Sequence, residues 1–442
     1  MRKLDEIKKK AEYCLNCIAK PCTKGCPLGN NIPDFIKCIK EEKYEDAYRV
    51  LCDTTVLQPI CGRICPHQSQ CQGKCVRGIK DEPVSIGELE TFIGDMAIEE
   101  GWQIDDLGRV SDCISHVDDT DRDESNDLLK SGLSRLKKKV AVVGSGPAGL
   151  TCASFLARKG VKVTIYEKHD KIGGLLRYGI PKFRLDRNVL DKQIEKILEL
   201  GIEVVCGKTL GEDYSLKDLR SEYDAVFLAF GANVSRKMDI SGEGLNGVFG
   251  GNELLENGKH PDYKGKKVAV IGGGNVAMDV SRTIKRLGAD KVYIIYRRAE
   301  EQMPAEKKEI VEAKQDGIEF LFQSNLVKIN GEFYVTGVEC VKTKLVEKEG
   351  SDRLVPVDID GSNFLLDMDY VMMAVGAEAE KNVLSGLGVE LNKWGYINVD
   401  ENFMTSIPNV FAGGDLIGTK ATVAWAARNG RDAAKGIYNL SL

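Results

Sequence analysis

At 442 residues the chain is too long for one ordinary core, and at ~100–200 residues per domain it should hold roughly two to four. Its 62 basic and 67 acidic residues leave a formal net charge of −5, which excludes the broad basic face of a nucleic-acid binder. Hydrophobic residues make up 43%, as in a soluble globular protein.

The N-terminus carries Lys8, Lys9 and Lys10 with no apolar run behind them, so no secretory signal is expected. The longest uncharged stretch, Val140 to Ala157, has the length of a membrane helix but is broken by Gly144, Gly146, Pro147 and Gly149. A cytoplasmic chain without a membrane segment is the expectation. Fourteen cysteines then call for metal or redox chemistry, because a reducing compartment disfavours disulfides.

Ten of them precede residue 76, and eight form two runs. Cys14, Cys17, Cys22 and Cys26 are followed by Pro27; Cys61, Cys65, Cys71 and Cys75 follow with Pro66 after the second. Two runs of four thiolates suit two [4Fe–4S] clusters, and a Cys before Pro is the one that ligates the other cluster in two-cluster ferredoxins. Zinc sites favour paired knuckles separated by a longer gap, which these crowded runs fit poorly. Helical patterning covers Ile36–Leu51 and Ile86–Glu100 in this region, residues 1–104. Residues 105–137 read as a linker; Asp105 to Asp127 holds nine acids against Arg109 and Arg122.

From Lys138 strands and helices alternate, predicting an α/β fold with two Rossmann-like dinucleotide-binding domains after the helical iron–sulfur domain. Strands Lys139–Val143 and Val161–Glu167 flank a helix from Pro147 to Lys159. The turn between reads Gly144-Ser145-Gly146-Pro147-Ala148-Gly149, a G-x-G-x-x-G that lets a pyrophosphate approach the helix N-terminus. Glu167 ends the second strand, where a carboxylate accepts from a ribose 2′-OH. Lys267–Ile271, Val276–Leu287 and Lys291–Tyr296 repeat the unit around Gly272, Gly274 and Ala277. Its second strand ends in Arg297 and Arg298 instead of an acid, which predicts a 2′-phosphate and hence NADPH over NADH. Two nucleotide sites suggest a flavin with a nicotinamide. Ala229–Gly231 and Ala374–Gly376 each end a short apolar strand and could be the crossings between the two domains. The expected boundaries are 138–260 with 377–442 for the flavin domain and 261–376 for the NADPH domain.

Several motifs carry a resemblance: Cys14 to Pro27, Pro59 to Cys75, Val84 to Glu90, Gly173 to Pro181, Tyr296 to Arg298, Met303 to Ala305 and Val410 to Asp415. Over nearly the whole chain except the acidic linker, the sequence resembles the small-subunit family of NADPH-dependent glutamate synthase. It is also similar to the N-terminal half of dihydropyrimidine dehydrogenase and to the NADPH-binding subunit of the bifurcating transhydrogenase. The resemblance implies FAD at Ser145 to Gly149, Glu167, Lys168, Gly174, Leu175, Arg184, Leu210, Gly414, Asp415, Thr422 and Val423. It implies NADPH at Gly274, Asn275, Val276, Arg297, Arg298 and the Ala374–Gly376 turn.

It also implies interleaved ligation of two [4Fe–4S] clusters. One would take Cys14, Cys17, Cys22 and Cys75; the other Cys26, Cys65, Cys71 and an oxygen of Glu90. Cys61 would then hold no iron, whereas a reading by runs would use it. The implied activity is a flavin iron–sulfur oxidoreductase without an acid–base side chain. NADPH passes hydride to the flavin, and single electrons leave through the clusters to a redox partner, the glutamate synthase large subunit or another acceptor. The rival readings are an NADPH reductase or transhydrogenase subunit with another acceptor, and an iron–sulfur module whose nucleotide sites are vestigial.

Overall fold

The computed structural model describes residues 2–104, 138–348 and 351–440. The acidic segment Asp105–Asp127 lies outside the described residues. The chain divides into two compact units. The first comprises Met1–Arg177, Lys182–Gly231 and Lys381–Leu442; the second comprises Tyr178–Pro181 and Ala232–Glu380.

The first unit begins with helices Arg2–Glu12, Pro21–Gly25, Ile32–Lys40, Tyr44–Cys52, Gln58–Ile64 and Ile86–Glu99. Ile32–Lys40 buries Ile32, Phe35, Ile36 and Ile39, one stripe at helical spacing. The single pattern expected from Ile36 to Leu51 is two helices. Glu42 takes a left-handed φ of 59° and turns the chain between them, so the apolar stripe restarts instead of continuing. Helices Gln58–Ile64 and Ile86–Glu99 pack backbone to backbone. A Cβ on Gly62 would stand 2.5 Å from the Thr91 nitrogen, and one on Gly94 2.5 Å from the Pro59 nitrogen. No larger side chain fits that crossing, which carries Cys61 and Cys65 up to Glu90.

The rest of the first unit is a parallel sheet in the order Val410–Ala412, Ala225–Leu228, Lys139–Val143, Lys162–Glu167, Glu203–Cys206. Residues 140–143 and Ala225–Leu228 are apolar runs buried on both faces, as central parallel strands must be. Strand order reverses at Lys139–Val143, and the crevice at its carboxyl end is where such sheets bind ligands.

The second unit repeats the plan with Val248–Gly250, Tyr370–Met373, Lys267–Ile271, Lys291–Tyr296 and Glu319–Phe322. Helices Asn275–Arg286 and Lys307–Gln315 cover one face around Val280, Ile284 and Ile310. Antiparallel strands Ser324–Gly331, Val335–Lys348, Ser351–Asp358 and Phe364–Asp367 form a further sheet; Leu326, Ile329 and Val338 pack onto Ala269, Ile271 and Ile295 of the other face. The second unit starts at Ala232 and not at 261, because Val248–Gly250 pairs with Tyr370–Met373. The first resumes at Lys381 and not at 377, because Ala377–Glu378 pairs back onto Val234–Ser235.

Candidate functional site

In the first unit the strand Lys139–Val143 runs into Gly144, whose φ is 102°. A Cβ there would lie 2.5 Å from the Ala229 carbonyl oxygen, and one on Gly149 1.9 Å from the Gly144 oxygen. Gly146, which caps the Pro147–Ala157 helix, would meet nothing within 4 Å. The turn is thus closed toward the protein and open on the side where a pyrophosphate would face the helix N-terminus. Pro147 and Ala148 form the first helical turn.

Glu167 is buried at the end of the neighbouring strand. One oxygen accepts from the Ser145 amide at 3.0 Å and from the Ser145 hydroxyl; the other accepts from the His169 amide at 3.0 Å. Part of its accepting capacity therefore holds the turn, and the remaining lone pairs are what a ribose hydroxyl could use. Ser145 Oγ in turn accepts from Gly173 N–H at 2.9 Å, which lays Gly174 and Leu175 beside Gly146. Lys168 is exposed next to Glu167, Leu210 is buried, and Arg184 stands half-buried ahead of the Arg187–Leu198 helix.

The C-terminal segment returns to this turn. A Cβ on Gly414 would lie 3.2 Å from that of Ala148, and one on Gly430 2.1 Å from the Ala148 oxygen. Thr422 caps the Val423–Tyr438 helix. Buried Asn429 accepts from Gly414 N–H at 3.2 Å and from the Thr419 hydroxyl at 3.0 Å, fixing the loop that carries Asp415. Burial pushes the Asp415 carboxyl up to about 6. Its ionised form is disfavoured on folding, so in the apoprotein stability is lost as pH rises from the unfolded value, near 4, through about 6. Hydroxyl donors of a flavin ribityl chain would offset that cost. Asp415→Asn apoprotein is therefore expected to melt higher than wild type above about pH 6, to match it below about pH 4, and to bind FAD more weakly. Thermal melts and flavin-fluorescence titration check this; identical melting curves at all pH values would remove the carboxyl from the account.

In the second unit Gly272 has φ 136°, and a Cβ there would lie 2.2 Å from the Ala374 oxygen. Gly274 caps the Asn275–Arg286 helix, with Val276 half-buried in its first turn. Asn275 accepts from Glu306 N–H at 3.1 Å, and Ala305 N–H donates to the Gly273 carbonyl at 3.1 Å, so the Met303–Ala305 segment folds over the turn. Ala374 N–H bonds Ile271 at 2.9 Å, and Gly376 follows with φ 130°. Arg297 is exposed at the end of the second strand. Arg298 beside it buries an Nε that has no acceptor. An orphaned guanidinium donor beside a dinucleotide turn fits an anionic ligand group.

Cys14, Cys17, Cys22 and Cys75 line one cavity with Leu15 and Val76. Arg77 brings the second run there: its Nε donates to the Tyr13 carbonyl at 3.0 Å and its guanidinium lies 4.2 Å from the Tyr13 ring centre. Cys26, Cys65, Cys71 and Glu90 form a second group, Cys71 and Glu90 buried and Cys26 and Cys65 half-buried. Burial, then the Glu90 charge, pushes the Cys26 thiol up to about 12. Cys71 is raised by burial and by Cys26 and Glu90. Cys65 is raised first by its hydrogen bond with Cys61, then by burial. Burial pushes the Glu90 carboxyl up to about 8, against one hydrogen bond from Asn30 at 3.2 Å. Desolvated thiols and a buried carboxyl crowded together are a donor set that a positive iron–sulfur core would deprotonate. Among the described residues no three His, Cys, Asp or Glu converge as a single metal ion demands. The first set rings a space.

Residues 138–430 match the family described as pyridine nucleotide-disulphide oxidoreductase. The chain belongs to that family. Residues 2–102 match dihydropyrimidine dehydrogenase domain II, a 4Fe-4S cluster domain. This pyridine nucleotide oxidoreductase is 36% identical to the glutamate synthase [NADPH] small chain of Escherichia coli, over 98% of this chain and 91% of that one. It is 37% identical to the NADP(+)-dependent formate dehydrogenase subunit beta of Moorella thermoacetica, over 95% of this chain and 60% of that one. Among solved structures, FprA of Mycobacterium tuberculosis in complex with NADPH superposes with a TM-score of 0.61 at 22% identity, covering 68% of this chain and 84% of that one. The chain is thus an NADPH-dependent flavin oxidoreductase with an iron–sulfur domain.

Sequence reasoning missed Asn429, Arg428 and Arg431. Arg428 donates to the Pro27 carbonyl at 3.2 Å and Arg431 to the Leu28 carbonyl at 2.6 Å. They clamp the loop after Cys26 to the helix that follows Thr422. Nothing in the sequence marks them, since arginines on a helix read as a solvated face.

Proposed function

We propose that this chain is the NADPH-oxidising input subunit of a glutamate synthase, working in the reducing cytosol and delivering electrons to a large partner subunit. When bound, NADPH supplies a hydride, FAD converts that pair into single electrons, and two [4Fe–4S] clusters conduct them. The protein's part is to hold and orient. The Gly144–Gly149 turn, Glu167, Lys168, Gly174, Leu175, Arg184, Leu210, Gly414, Asp415, Thr422 and Val423 would hold FAD. Gly272, Gly274, Asn275, Val276, Arg297, Arg298, Ala374 and Gly376 would hold NADPH. Cys14, Cys17, Cys22 and Cys75 would hold one cluster; Cys26, Cys65, Cys71 and Glu90 the other.

The observation that carries the glutamate synthase reading is recurrence: small chains from Escherichia coli, Azospirillum brasilense and Halomonas elongata are 36%, 35% and 34% identical over 98%, 98% and 97% of this chain. The test is the composition of the native complex, isolated anaerobically and identified by mass. A large amidotransferase subunit beside this chain is the expected result. This chain alone, or with a different flavoprotein, would overturn the reading in favour of a reductase with another acceptor.

A further inference from the structure

The helix Ile32–Lys40 grips the loop between Cys14 and Cys17 from both of its ends. Asn16 holds a left-handed φ of 50°, and its backbone N–H donates to the Cys14 sulfur at 3.5 Å. Asn16 Nδ2 donates to the Pro33 carbonyl at 3.3 Å, in the first turn of the helix. Lys40 stands in the last turn, where a lysine ordinarily offsets the helix dipole from solvent. Here its ammonium instead reaches the cysteine loop, donating to the Cys14 carbonyl at 2.7 Å and to Asn16 Oδ1 at 2.8 Å.

Lys40 is half-buried and meets no carboxylate among the described residues. A partly desolvated cation with two neutral acceptors and no counter-charge acts on whatever charge lies beside it. That neighbour is Cys14. Burial pushes the Cys14 thiol up, and the Asn16 N–H and the Lys40 charge pull against it. Lys40 makes no bond to Cys26, Cys65, Cys71 or Glu90. Three thiolates with a carboxylate carry the same formal charge as four thiolates, so the ligands by themselves give the two groups no difference in charge.

We propose that Lys40 raises the reduction potential of the cluster held by Cys14, Cys17, Cys22 and Cys75, so that it keeps an electron at solution potentials where it would otherwise be oxidised. The inference rests on the assignment of those four cysteines to an iron–sulfur cluster. One electron, drawn from the flavin that NADPH reduces, adds one negative charge and no proton to a core already held by four thiolates. A fixed cation beside Cys14 stabilises the more negative form, and the N–H on its sulfur works in the same direction.

The experiment uses holoenzyme reconstituted anaerobically, as wild type and three variants. Lys40→Gln removes the charge and keeps an N–H donor, Lys40→Met removes both, and Lys40→Arg keeps both. Iron and acid-labile sulfide per chain report assembly, and an EPR-monitored redox titration reports each cluster. The signal missing from Cys75→Ser marks the cluster beside Lys40. In Lys40→Gln and Lys40→Met its reduced-to-oxidised ratio at a fixed potential is expected to fall about tenfold, which is about 59 mV for a one-electron couple. The ratio for the other cluster should stay within about twofold, and Lys40→Arg should keep both within about threefold of wild type. A lysine that merely supports the loop would cost iron and leave the midpoint of any assembled cluster where it was. Midpoints unmoved in Lys40→Gln overturn the proposal, as does a loss of about four irons from Lys40→Gln and Lys40→Met alike, or a shift shared equally by both clusters. A wild type that takes up no iron and sulfide overturns the cluster assignment along with it.

Discussion

Replacing Arg297 and Arg298 together by alanine is expected to raise the KM for NADPH about ten- to a hundredfold and to leave that for NADH within about twofold. The two nucleotides differ only by the 2′-phosphate, so a contact confined to that group must discriminate between them. Arg298 buries an Nε with no acceptor, so the donor is already desolvated. A hydrogen bond to a charged group contributes about 1.5–3 kcal/mol, and about 1.4 kcal/mol is a tenfold change in affinity. Arg297 is exposed and screened, and its share is the smaller. Steady-state kinetics with both nucleotides, together with a thermal melt, decides the matter. Equal loss with NADPH and NADH at unchanged stability would mean that the pair acts on the common part of the nucleotide, or on none of it.

The nucleotide turns were legible because their chemistry is local. Each needs a glycine with positive φ after a buried strand and a close packing contact a few residues on, and both requirements fall inside one short motif. What was not legible depends on distant partners. Val248–Gly250 is a three-residue strand with no pattern of its own, and its place in the second sheet is decided by Tyr370–Met373, more than a hundred residues later. The sheet from Ser324 to Asp367 carries no glycine-loop signature, and its inward face shows only where Leu326, Ile329 and Val338 meet the parallel strands. Asn429, Arg428 and Arg431 act through backbone groups of residues 27, 28 and 414, and a helix reading sees only its own periodicity. The cysteines are the intermediate case. Their number and crowding marked iron–sulfur chemistry, but sequence order pairs each run with itself. The fold brings Cys75 to the first run through Arg77 on Tyr13, and through the Tyr13 hydroxyl, which donates to Asp81 at 2.9 Å.

That juxtaposition separates two substitutions that membership of one run would make equivalent. Cys75→Ser is expected to lose one cluster, a fall of about four irons per chain, whereas Cys61→Ser keeps both. Cys75 lines the cavity of the first run beside three other thiols, so its loss removes one of four donors to a single core. Cys61 is 1% exposed and hydrogen-bonds with Cys65, but the group around buried Glu90 already has Cys26, Cys65 and Cys71. A serine hydroxyl at 61 can still hydrogen-bond to Cys65 at nearly the same volume, so the helix crossing at Gly62 and Gly94 is not disturbed. Iron and acid-labile sulfide per chain, measured on anaerobically reconstituted protein, give the count, and low-temperature EPR of the reduced protein identifies which signal is missing. Four irons lost from Cys61→Ser as well as from Cys75→Ser would mean that all eight cysteines of the two runs are ligands and Glu90 is not. The carboxyl at 90 would then have to be carried neutral, at the value of about 8 that burial imposes on it, next to a cluster that gains nothing from it.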